Sequence, residues 1–200
     1  MQRNPPDLKE LFLAFCEHLD GKLVWKRRGG LNMQLLSFFE KKAEELHYPH
    51  QRDIMETDLV WWSELNEIEL ALQHEAHVRD VPKFFIKRSS SSRDQLRMYP
   101  QEVRQLIYIK ALRKILIVYV SEAGEQSLIT AFETWLKTLT HRIPNEQYMI
   151  IIGRSVRKEV GKKPGILFHA YIFLNTGFKM AGPLSCHLTQ AQEEKGNLKE

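Results

Sequence analysis

Two apolar runs separated by a turn constrain this chain more than any other feature. Thr57–Trp62 and residues 67–75 are rich in β-branched, aromatic and aliphatic side chains, and Ser63-Glu64-Leu65-Asn66 lies between them. That pattern predicts a β-hairpin. Facing residues of an antiparallel hairpin have a constant index sum, so the loop length fixes every pair. A four-residue loop over 64–67 sets Asp58 opposite Gln73, with Glu75 two positions further along the same face. Facing side chains stand ~5 Å apart at Cβ. Three polar groups then meet at one end of an otherwise apolar hairpin.

The flanking segments read as alternating helices and strands. Residues 7–19 form a helix capped by Asp7, with Leu8, Leu11, Phe12, Phe15 and Leu19 at helical spacing. Residues 22–28 are a short basic strand or loop, and Gly29-Gly30 marks a turn. Residues 32–46 form a second helix, stopped by Tyr48-Pro49-His50. Residues 76–100 read as an exposed loop, in which Lys83, Lys87, Arg88, Arg93 and Arg97 flank a run of four serines. A helix over 101–113 follows, then a strand over 114–120 whose continuous apolar run indicates burial on both faces. An amphipathic helix over 124–139, an apolar strand over 147–153 and a last strand over 166–174 complete the pattern. The expected fold class is α/β: a mixed sheet flanked by helices on both faces, in one domain over 1–184 with its core at about 33–176. Residues 185–200 are expected to be a polar, frayed tail.

Composition excludes several classes. The chain has 200 residues, enough for one sizeable core. Cys16 and Cys186 lie near opposite ends, which suggests neither a disulfide framework nor a metal site, so a reducing, cytoplasmic setting is expected. The first ten residues hold two prolines and no apolar run, so no secretory signal is expected. No apolar stretch is long enough to span a bilayer. The net charge of +4 permits a polyanionic partner without requiring one.

The polar residues of the hairpin suggest a chemistry. Close carboxylates repel unless a cation lies between them. A hard divalent ion such as Mg²⁺ or Mn²⁺ suits Asp58 and Glu75, and it can activate water against a phosphodiester. Gln73 offers an amide oxygen as a further ligand or as a group that orients water.

Asp58 near the start of one strand, followed by Gln73-His74-Glu75 at the end of the next, resembles the Asp…(Asp/Glu)-x-Lys signature of the PD-(D/E)XK nuclease superfamily. The resemblance covers roughly residues 33–153 and includes the upstream helix and the helix and buried strand that follow. It implies a restriction-endonuclease-like fold and Mg²⁺-dependent cleavage of DNA. It also implies a glutamate from the upstream helix, matched by Glu44 or Glu45, with Glu44 preferred as an additional metal carboxylate. The chain departs from the signature twice: Gln73 stands at the acidic position and Glu75 at the lysine position. A lysine there would activate water or stabilise developing charge. The alternative is therefore a catalytically inactive nuclease-like domain acting as a nucleic-acid-binding or protein-assembly module. A homodimer is compatible with either reading.

Other motifs have plainer readings. His74-Glu75-x-His77 lacks the i, i+4 histidine pair of a zinc-protease helix, and exposed histidines are expected there. The remaining histidines show no ligand spacing. Trp61 and Trp62 are adjacent and should point to opposite sheet faces as core contacts. Lys83, Lys87, Arg88, Arg93 and Arg97 are the expected phosphate contacts. Arg154, Arg157, Lys158, Lys162 and Lys163 form a second basic cluster.

Overall fold

The computed structural model describes residues 6–20, 30–75, 101–120, 122–138, 143–156, 165–174 and 181–189. Helix α1, Leu8–Leu19, begins where the Asp7 carboxylate accepts the backbone N–H groups of Lys9 and Glu10 at 2.8 and 3.0 Å. That cap satisfies donors which a helix start otherwise leaves unpaired. Helix α2 is Gly30–Glu45, and strands β1, His50–Ile54, β2, Thr57–Trp62, and β3, Ile68–Glu75, follow. Helix α3, Gln101–Tyr108, leads to β4, Ala111–Tyr119. Helix α4, Glu122–Thr138, leads to β5, Gln147–Val156. Strands β6, Gly165–Leu174, and β7, Ala181–Thr189, end the described chain.

All seven strands form one sheet in sequence order. The β3–β4 and β4–β5 pairs are parallel and the other four are antiparallel. Parallel neighbours need a crossover. Helices α3 and α4 serve that role, and both pack on the same face.

Each face of the sheet carries its own core. On the first, α1 and α2 cover Leu59, Trp61, Leu70, Leu72, Ile115, Ile117, Met149 and Ile151. On the second, α3 and α4 cover Val60, Ala71, Leu116, Val118, Ile150 and Ile152. Ile115–Val118 and Met149–Ile152 are fully buried, which explains why these strands read as unbroken apolar runs. Trp61 is buried in the first core, and Trp62 packs against the second, as their adjacency requires.

Strands β1 and β7 carried no usable sequence signal. The β1–β2 turn is Met55-Glu56, with φ of 52° and 58° at its two central residues and Ile54 paired with Thr57. Such a turn normally announces itself by Asn or Gly, and here the left-handed positions hold Met and Glu. Asp53, also left-handed at φ 51°, interrupts the alternation. Arg52 thus meets Glu40 of α2 on the first face, while Ile54 packs on the second core. Strand β7 is an edge strand in which exposed Ser185 and His187 alternate with half-buried Leu184 and Cys186. The expected frayed tail is therefore corrected over 185–189, and residues 190–200 lie outside the described residues. Helix α3 stops at Tyr108 rather than 113, because residues 111–113 pair with β3 and β5 instead. The segment 22–28, expected as a short strand or loop, and the segment 76–100, expected as a loop, also lie outside the described residues.

The cysteine expectation is corrected as well. Cys16 of α1 and Cys186 of β7 are joined as a disulfide across 170 positions of sequence. Separation along the chain says nothing about separation in space once α1 packs beside β7. The bond removes the argument for a reducing compartment. Among the described residues, no helix is long and apolar enough to cross a membrane.

One buried ion pair lies inside the second face. Lys114 and Glu146, 2% and 4% exposed, form a salt bridge, and Lys114 Nζ also donates to the Ile107 carbonyl at 2.8 Å. A lysine at the head of the apolar run Ile115–Val118 thus has its charge engaged inside the protein.

Candidate functional site

The hairpin register brings Asp58 and Gln73 together. Leu59 pairs with Leu72 and Val60 with Ala71, and continuing this register sets Asp58 opposite Gln73. The expected index sum holds from Trp61 outward. A bulge opposite Trp61/Trp62 gives the turn a different form from the four-residue loop expected. Strand alternation places Asp58 with Val60, and Gln73 and Glu75 with Ala71, so all three positions share the second face.

Asp58 also holds the end of β3. Its Oδ2 accepts the backbone N–H of His74 at 2.6 Å. A charge-assisted bond of this kind is roughly twice as strong as a neutral one, and it ties the start of β2 to the end of β3. Gln73 is 4% exposed, and its Oε1 is buried without a hydrogen-bond partner among the described residues. An unpaired buried amide oxygen costs ~1–3 kcal/mol, so it marks a place where a donor or cation would be stabilising. The backbone of Glu75 pairs with Val118 of β4, and its side chain lies outside what is described. No group of three metal-ligating side chains occurs among the described residues.

Glu44 is not brought to this cluster. It is exposed on the last turn of α2, on the first face of the sheet. That turn adjoins His50, which pairs with Trp61, three residues along β2 from Asp58 and so ~10 Å away. The glutamate of α2 that meets the sheet is Glu40, which forms a two-pronged ion pair with Arg52. Lys83, Lys87, Arg88, Arg93 and Arg97 lie outside the described residues, as do Arg157, Lys158, Lys162 and Lys163.

His74 corrects an expectation. It is 8% exposed rather than exposed, because its position in β3 faces the first core. Its ring meets Tyr119 edge-on with centroids 5.7 Å apart, and neither ring nitrogen has a partner among the described residues. Burial lowers its pKa from 6.5 to about 4, so the imidazole is neutral near pH 7. Burial likewise pushes the Tyr119 phenol well above its ordinary value.

A second polar cluster, which sequence spacing did not reveal, lies on the same face. Glu125 of α4 is 7% exposed. Its Oε1 lies 2.5 Å from His169 Nδ1 and accepts the Tyr171 hydroxyl at 2.8 Å. Its Oε2 lies 3.3 Å from Arg154 Nε, and Arg154 also reaches Glu122 at 3.2 Å. Glu125 lies 44 and 46 positions from His169 and Tyr171, and the packing of α4 on the paired strands β5 and β6 assembles them. The sole sequence cue was Arg154, read as part of a basic cluster. No family model matches the chain, and no curated protein or solved structure matches it either.

Proposed function

We propose that this chain is a restriction-endonuclease-like domain that binds DNA and hydrolyses its phosphodiester bonds with a divalent cation. The observation that carries the reading is the register placing Asp58 opposite Gln73, with Glu75 next along the same face. Support comes from the surrounding order, in which α2 precedes the hairpin and α3 links β3 to the parallel strand β4. The donor set fits a hard cation: two carboxylates, and an amide oxygen that is buried without a hydrogen-bond partner among the described residues. Asp58 and Glu75 would hold Mg²⁺ or Mn²⁺, and Gln73 would add a ligand or orient water. When bound, the ion would supply Lewis-acid stabilisation and a lowered water pKa. Asp58 itself fixes the end of β3 through His74 and so positions Glu75.

The segments that carry the two basic clusters begin at this end of the sheet. Residues 76–100 continue from Glu75, and residues 157–164 join Val156 to Gly165. Because β3, β4 and β5 are parallel, these ends lie together. The lysines and arginines in the sequence of these segments suit a phosphate backbone.

A second reading is a binding module without catalysis. It is favoured by the absence of a lysine at the Glu75 position and by the neutral Gln73 at the acidic one. Incubation of plasmid with the protein and Mg²⁺ or Mn²⁺, beside Asp58→Ala, separates the two. Nicking by the wild type alone supports the nuclease. Salt-sensitive DNA retention that ignores both metal and Asp58→Ala supports the module.

A further inference from the structure

The two edges of the sheet meet solvent differently. An edge strand offers a row of unpaired N–H and C=O groups, and proteins blunt such edges with short strands, charges or breaks in the backbone. Strand β1 is blunted in each of these ways: it has five residues, it carries Arg52 and Asp53, and Asp53 adopts φ 51°. Strand β7 is not. It has nine residues with no Lys, Arg, Asp or Glu, and among the described residues no strand pairs with its outer side. Pro183 withholds one donor, which confines the open stretch to 184–189.

An apolar side chain stands beside this edge. Cys186 of β7 is bonded to Cys16 of α1, so strand and helix are held as one unit. Leu13 lies three positions before Cys16, on the neighbouring part of the helix surface. It is about 200° around α1 from Phe15, at ~100° per residue. Phe15 faces inward, to Phe168 of β6 and Phe39 of α2. Leu13 therefore lies on the outer flank of α1, on the β7 side, and it is 51% exposed.

An uncharged backbone ladder beside an exposed leucine suits an uncharged strand with an apolar flank, and a second copy of the chain supplies both. Antiparallel pairing of two identical strands is two-fold symmetric, and an axis normal to the sheet keeps the first faces of both copies on one side. The two α1 helices then flank the axis. The blunted β1 edges end the joined sheet on both sides, so assembly closes at two copies.

We propose that this protein forms a homodimer through β7, in which 184–189 of two copies pair antiparallel and their Leu13 side chains pack across the axis. About six backbone hydrogen bonds link the strands. The exposed Ser185 and His187 bring no carboxylate or ammonium to the axis. The disulfide fixes β7 on α1 before association, so little ordering is lost on binding.

The test is sedimentation equilibrium of the full, oxidised chain from about 1 to about 200 µM, the range in which a small interface dissociates. The wild type is expected to pass from monomer to dimer across it. Ser185→Lys and Leu13→Lys each add a charge at an exposed position and are expected to raise the dissociation constant roughly tenfold or more. Leu65→Lys, in the exposed β2–β3 turn, is expected to leave it unchanged. Hydrogen exchange gives a readout that needs no variant: the backbone amides of 184–189 are expected to exchange more slowly at the high concentration than at the low one. A wild-type protein that stays monomeric throughout would overturn the proposal. So would a dimer that keeps its affinity in both Ser185→Lys and Leu13→Lys, or one whose 184–189 amides exchange alike at both concentrations.

Discussion

His74 makes stability depend on pH in a direction and by an amount that the structure sets. In the folded chain its pKa falls to about 4, against 6.5 for a free imidazole, because burial penalises the charged ring. The unfolded chain therefore binds a proton below about pH 6.5 that the folded chain refuses until about pH 4. Stability from this residue is complete above the unfolded value and is lost as the pH falls toward the folded one. At ~1.4 kcal/mol per pH unit of separation, the whole effect is ~3 kcal/mol, of which ~2 kcal/mol has gone by about pH 5. The perturbation is His74→Leu, which keeps the apolar contact with Tyr119 and removes two ring nitrogens that have no partner among the described residues. Urea unfolding at about pH 8 and pH 5 measures both proteins. The wild type should lose ~2 kcal/mol more than the variant between the two conditions. At pH 8 the variant should be at least as stable, since unpaired buried polar atoms cost ~1–3 kcal/mol each. Identical losses in the two proteins would refute the reasoning.

Other consequences are equally direct. Glu146→Leu leaves the Lys114 ammonium buried without its carboxylate and should cost ~3–5 kcal/mol in thermal unfolding, whereas Lys114→Met combined with Glu146→Leu should recover most of that loss. Met55→Asn replaces a side chain that resists φ 52° with one that tolerates it, and should raise the urea midpoint by the equivalent of ~0.5–1 kcal/mol. Reduction of the Cys16–Cys186 disulfide should lower the melting temperature by the equivalent of ~2–5 kcal/mol, and a Cys16→Ser protein should show no response to reductant.

What sequence pattern revealed, and what it hid, follows from how each element is stabilised. The hairpin was legible because its two runs are apolar enough to fix a register, and that register then set Asp58 against Gln73. Strands β4 and β5 were legible because burial on both faces leaves the runs Ile115–Val118 and Met149–Ile152 without a polar interruption, while the partner of Lys114 at the head of the first, Glu146, is 32 residues away. Strand β1 was hidden because its turn is made by residues that do not advertise a left-handed backbone. Strand β7 was hidden because an edge strand has little apolar content of its own. The Glu125 cluster was invisible for a different reason: α4 contributes Glu125, β5 contributes Arg154 and β6 contributes His169 and Tyr171, so no local spacing links them. Glu44 was named, beside Glu45, only because the resemblance implies a glutamate from the upstream helix. The direction in which α2 runs against β1 sends that turn toward Trp61 and away from Asp58.

The central claim is that Asp58 and Glu75 hold a divalent cation at the end of the hairpin. Diffraction from crystals soaked in Mn²⁺, with anomalous scattering recorded to identify the metal, tests it most directly. The account predicts a manganese peak between the Asp58 and Glu75 carboxylates, within ligand distance of the Gln73 amide oxygen. That peak should be absent from an Asp58→Ala protein soaked in the same way. A wild-type crystal with no peak there, and with Gln73 turned instead to a protein partner, would contradict it.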